Sequence, residues 1–177
     1  MPRERSTMVK QNLGDTGMER RQRPQAPQKA KIMITYYALS SAPVEQIWQK
    51  LANLADLSWH PLVTRPHVPW GLLPKPGLLY DAVSRLFPLR VRIFVERVQQ
   101  QQLLSVRVFA LPGLEERVTY QVQSTVCGTQ ISYSITLKGW LSPLVWSVIR
   151  PRAAQVARQL AQAAEGRLVN MDGISVI

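Results

Sequence analysis

The sequence is short of the residues that build metal sites and disulfides. It has one cysteine, Cys127, and two histidines, His60 and His67. A lone cysteine closes no internal disulfide, which fits a reducing compartment. Three such residues without ligand spacing argue against zinc, and no metal site is expected. Glycine is sparse, at nine residues. None builds a phosphate-cradling loop, and no Gly-x-Ser-x-Gly elbow occurs, so no cofactor is expected either. Apolar runs are only a few residues long, too short to span a bilayer. No apolar segment near the start precedes a cleavage site, so no secretory signal is expected.

Acidic residues are also scarce, 11 against 22 Lys and Arg, for a net charge of +11. Residues 1–31 hold eight basic and three acidic residues, and so +5 of that excess. Residues 1–30 contain Gln, Arg, Pro and Gly with almost no apolar periodicity, and read as a disordered basic tail. Such a tail favours anionic surfaces without sequence specificity, so no specific nucleic-acid partner is expected. Its three acids and few serines weigh against a transit peptide, and Met18 is a plausible second start.

What is present is enough apolar material, 46% of 177 residues, for one well-packed domain. Residues 31–39, rich in Ile, Thr and Tyr, read as a strand. Ser41-Ala42-Pro43 reads as a helix entry, with Ser40 or Ser41 as cap. Val44, Ile47, Trp48, Leu51 and Leu54 then recur at helical spacing. A second short helix is expected at 54–57, ending before Trp59-His60-Pro61. An edge strand is expected at 62–68, and the proline-rich stretch 69–77 as an apolar loop, either a cavity lid or simply packed.

Five strands are expected at 78–86, 90–98, 103–110, 114–126 and 129–139. Ile131, Tyr133, Ile135 and Leu137 alternate with polar residues, as do Val118, Tyr120 and Val122. The same alternation sends Arg90, Arg92, Arg107 and Arg117 to a solvent face. A last helix starts at Ser142-Pro143, is kinked by Pro151 and ends at Gly166. Residues 167–177 remain as a C-terminal tail.

With this element order, the chain resembles the START-like, or SRPBCC, helix-grip superfamily of polyketide cyclase/dehydrase-like and lipid-transport proteins. The resemblance covers residues 31–165. It rests on Ser41-Ala42-Pro43-Val44-Glu45-Gln46-Ile47-Trp48, on Leu57-Ser58-Trp59-His60-Pro61, on Pro76-Gly77 and on Leu141-Ser142-Pro143-Leu144. It implies an α+β fold over residues 31–166: a curved antiparallel sheet of about seven strands wrapped around a long C-terminal helix, with two short helices after the first strand. It also implies a hydrophobic small molecule as the usual ligand class.

Candidate pocket residues are Trp59, His60, Trp70, Tyr80, Val118, Tyr120, Tyr133, Ile135, Trp146 and Ile149, since aromatic and aliphatic side chains make most of a ligand pocket. His60, Asp81 and Tyr120 are weak candidates for acid–base chemistry. Glu96, on a neighbouring strand, is a further carboxylate whose facing parity leaves open. The reading is a cytoplasmic protein that binds a lipid, isoprenoid, quinone or pigment in an internal cavity without covalent chemistry. The alternative is a polyketide cyclase/dehydratase-like enzyme. A third reading is a transient anionic-membrane contact through the basic tail and the Trp70 loop.

Overall fold

The structure, a computed structural model, describes residues 31–87 and 89–166. The expected tails at 1–30 and 167–177 lie outside the described residues. Seven strands and three helices follow in order: β1 (Lys31–Ser40), α1 (Val44–Ala52), β2 (Val63–Thr64), β3 (Leu79–Ser84), β4 (Arg90–Gln99), β5 (Leu103–Phe109), β6 (Glu115–Thr125), β7 (Gly128–Lys138), α2 (Ser142–Ala153) and α3 (Val156–Ala164). The strands form one curled antiparallel sheet in the order β1-β7-β6-β5-β4-β3-β2. This is the helix-grip architecture, with a bent C-terminal helix held by the sheet.

Alternation along each strand decides what faces the helices. The inner face is laid down in cross-strand rows. Leu104, Tyr120, Tyr133 and Tyr36 form one row. Val106, Val118, Ile135 and Ile34 form the next, and Val108, Glu116, Leu137 and Ile32 the one after. Every member of these rows is apolar or aromatic except Glu116. The outer face carries the charge. A bulge between Val95 and Arg97 leaves Glu96 as the extra residue, and its carboxylate accepts from Arg107 and Arg117 on the same face. Burial alone would raise the Glu96 pKa, but the hydrogen bonds from Arg107 and Arg117 hold it below the usual value.

Several local details differ from expectation. Neither serine caps α1: Pro43 occupies the cap position without a side-chain bond. Ser40 and Ser41 instead bind the far end of the chain. Glu165 Oε1 accepts from Ser40 Oγ at 2.9 Å, Ser41 N at 2.7 Å and Ser41 Oγ at 3.0 Å, latching the end of α3 to the β1–α1 connection. The second short helix expected at 54–57 is a pair of tight turns, closed by Leu54 N to Ala52 O and Asp56 N to Asn53 O. The edge strand shrinks to Val63–Thr64, because Arg65 turns to a φ of 47° ahead of Pro66.

The last helix is bent as expected, but it divides three residues beyond Pro151. Ala154 N bonds Arg150 O and Gln155 N bonds Arg152 O, a tightened turn between α2 and α3. Ser142 is the first helical residue rather than the cap, and its buried Oγ has no partner among the described residues. α3 buries Val156, Ala157, Leu160, Ala161 and Ala163 against β1, β7 and α1. α2 approaches the same two strands, β1 and β7, and a space remains between its Leu144, Val145, Val148 and Ile149 and strands β3–β6.

Candidate functional site

The space is a cavity of about 420 Å³ between the inner face of the sheet, α2 and the segment after α1. The sheet contributes Tyr80, Ile93, Val106, Val118, Tyr120 and Tyr133, among others. The segment after α1 contributes Leu54, Leu57, Trp59, His60 and Leu62, and α2 contributes Leu144, Val145, Val148 and Ile149. Where the β3–β4 loop, the β5–β6 loop and α2 approach one another, Phe87, Leu89, Leu111, Leu144 and Val148 are both cavity wall and exposed surface. These residues form its apolar rim.

His60 is held by the chain around it. Its Nδ1 accepts from Leu62 N at 3.1 Å and from Val63 N at 3.3 Å. Nδ1 is thus the unprotonated nitrogen, and Nε2–H donates to Tyr120 Oη at 2.8 Å. That leaves the Tyr120 hydroxyl proton available to an acceptor in the cavity. Arg85 fixes the segment by donating to His60 O at 2.9 Å and Ser58 O at 3.2 Å. Burial, assisted by the Arg85 charge, pushes the imidazole pKa down from 6.5 to about 3. A histidine so held is neutral, with both nitrogens engaged, and is a hydrogen-bonding strut for Tyr120 rather than a proton acceptor at neutral pH. Trp59 packs edge-on against Tyr120 at 6.4 Å, and Tyr120 stacks at a tilt on Tyr133 at 5.3 Å. The Tyr133 hydroxyl is buried without a partner among the described residues. Burial, first of all, raises the pKa of Tyr80, Tyr120 and Tyr133, so all three are neutral donors.

Of the predicted pocket residues, Trp59, His60, Tyr80, Val118, Tyr120, Tyr133 and Ile149 line this cavity. Three do not. Ile135 is buried in the core away from it, and Trp146 is half-buried on α2. Trp70 is 81% exposed and stands in a separate groove with Trp48 and α1, so its loop is no lid. Among the acid–base candidates, Asp81 is also displaced. Tyr80 and Ala82 take the inner face, which sends Asp81 outward to Arg92 at 3.5 Å.

The carboxyl that does line the cavity is Glu116. Its neighbours Glu115 and Arg117 pair with outer-face residues, so Glu116 takes the inner face between Val108 and Leu137. It is half-buried by surface area because what remains exposed is cavity wall. No hydrogen bond from a described residue reaches it, and burial raises its pKa from 4.5 to about 7. The signal was available in the sequence: Glu116 has the same parity as Val118, Tyr120 and Val122.

Searches with the sequence find no matching family model and no matching curated protein. The structure does have counterparts. Ara h 8.0201 superposes with a TM-score of 0.61 at 9% identity, covering 77% of this chain and 99% of that one. The Zhui aromatase/cyclase from Streptomyces sp. R1128 gives 0.60 at 12% identity over 81% and 99% of the two chains. Truncated norcoclaurine synthase from Thalictrum flavum gives 0.57 at 16% identity over 81% and 96%. These likenesses show the fold: the chain has the helix-grip architecture. No helix among the described residues is long and apolar enough to cross a membrane.

Proposed function

We propose that this protein binds and carries a hydrophobic small molecule, of lipid, isoprenoid, quinone or pigment type, in the cavity and without covalent chemistry. The observation that carries the reading is the cavity itself: about 420 Å³ of space whose wall is aliphatic and aromatic apart from a few polar groups. Small-molecule sites have this size and character, roughly 300–1,000 Å³ with few convergent polar atoms. The binding domain spans residues 31–166, and its setting is the cytoplasm. Residues 1–30, by charge, favour transient contact with anionic membranes during loading.

Uptake of the neutral fluorophore N-phenyl-1-naphthylamine tests the reading. Wild type should bind one molecule per chain. Val118→Trp, or Val106→Trp should the first variant not fold, should abolish uptake with the circular dichroism unchanged. Folded variants that bind like wild type would overturn the proposal.

One observation favours a second reading, an acid–base enzyme of polyketide-cyclase type. Glu116 is a cavity carboxyl with a pKa near neutrality, as proton transfer at neutral pH requires. In that case Glu116→Gln should abolish turnover while the neutral fluorophore still binds.

A further inference from the structure

A carboxyl group on the wall of an apolar cavity is costly unless something pairs with it. Glu116 has only apolar cross-strand neighbours, Val108 and Leu137, and receives no hydrogen bond from a described residue. Among the described residues, no Arg or Lys lines the cavity. The remaining polar wall consists of the tyrosine hydroxyls, the Trp59 indole N–H, the neutral His60 and Ser84. Tyr80 stands in the same cross-strand row as Glu116, reached through Ile93 and Val108. From the described residues the cavity thus receives one negative charge, several electron-rich ring faces and no positive charge. Ring faces and a carboxylate both attract cations. A second carboxylate placed there would be opposed by Glu116 with no cation to compensate.

We infer that the cavity selects apolar ligands carrying a protonated amine, which Glu116 pairs with, and rejects fatty-acid-like carboxylates of the same size. The inference rests on the cavity-binding reading and specifies its ligand class. Glu116 and Tyr120 lie four residues apart on one face of β6, roughly 13 Å at the strand rise. The ligand therefore has its amine at Glu116 and, toward the other end, room for an acceptor on the Tyr120 hydroxyl. Pairing converts the unpartnered carboxyl into a charge-assisted hydrogen bond.

The test uses the full chain and three probes on one skeleton: 2-(2-naphthyl)ethylamine, 2-(2-naphthyl)ethanol and 2-naphthylacetate. At pH 7.5 the amine should bind at least tenfold more tightly than the alcohol, and the acetate more weakly than either. Glu116→Gln should leave alcohol affinity within twofold and reduce the amine preference to threefold or less. In wild type the preference should also fall between pH 8 and pH 5.5, as Glu116 takes up its proton. If the alcohol binds but the amine has no advantage, or if Glu116→Gln keeps that advantage, the ligand-class inference is wrong while the cavity reading stands. If no probe binds, both fall together.

Discussion

Replacing Glu116 by Gln should make the protein more stable, and only above a certain pH. Gln keeps the size and removes the charge. In the folded chain the Glu116 pKa is raised from 4.5 to about 7, because the cavity wall disfavours the carboxylate. A group whose folded pKa is raised contributes its full stability below the unfolded pKa. It loses that stability as pH climbs through the folded value. At about 1.4 kcal/mol for each tenfold change in proton affinity, the ionised carboxylate costs at most roughly 3.5 kcal/mol above pH 7. That is worth several degrees in Tm for a domain of this size. Urea unfolding of wild type and Glu116→Gln at half-unit steps from pH 4.5 to 8.5 measures it. The two should coincide near pH 4.5, diverge between about pH 5 and 7.5, and then run parallel with the variant more stable. A gap that does not change with pH, or a variant less stable at pH 8, would refute the placement of Glu116 in an apolar wall.

The two stacked tyrosines should respond in opposite ways. Tyr120→Phe strands the His60 Nε2–H and should cost about 1–3 kcal/mol in denaturant unfolding, whereas Tyr133→Phe removes a hydroxyl without a partner among the described residues and should be neutral or stabilising. His60 is held neutral with its pKa near 3. Its ring NMR signals should therefore show the Nε2–H tautomer and no inflection between pH 5 and 8; a titration near pH 6.5 would contradict its burial. The same depression makes the fold lose stability as pH drops below 6.5, at up to about 1.4 kcal/mol per pH unit for this one group. Gly139→Ala should destabilise by more than about 2 kcal/mol, since φ is 135° there and a Cβ would stand 2.1 Å from Gly113 O; unchanged unfolding would show that the β7–α2 corner is not packed as described.

Much of the fold was legible because it is written in short-range patterns. Strand alternation around Tyr120 and Tyr133 gave their inward facing, and a single Pro151 announced the bend in the last helix. What was not legible depends on partners distant in the chain. Ser40 and Ser41 look like caps until Glu165, more than 120 residues later, takes their hydrogen bonds. The Trp70 loop reads equally as a cavity lid or a packed loop, yet Trp70 stands exposed beside α1. Asp81 and Glu96 drew attention as carboxylates on strands, but outer-face arginines claim both. Glu116 shares the strand parity of the pocket-facing residues, but parity alone does not show that it meets a cavity. Alternation places a side chain on a face, and only the assembled sheet shows whether that face meets helix, solvent or empty space.

The central claim, that the cavity holds an apolar molecule, is tested most directly by native mass spectrometry of freshly purified full-length protein, followed by denaturing extraction and reloading of the emptied chain. The account predicts a single apolar species released at about one per chain, or, if the ligand is lost on purification, saturable one-to-one uptake of N-phenyl-1-naphthylamine. A chain that emerges empty and takes up no hydrophobic probe would contradict it, and would mean that the space between α2 and the sheet is closed by its own side chains in solution.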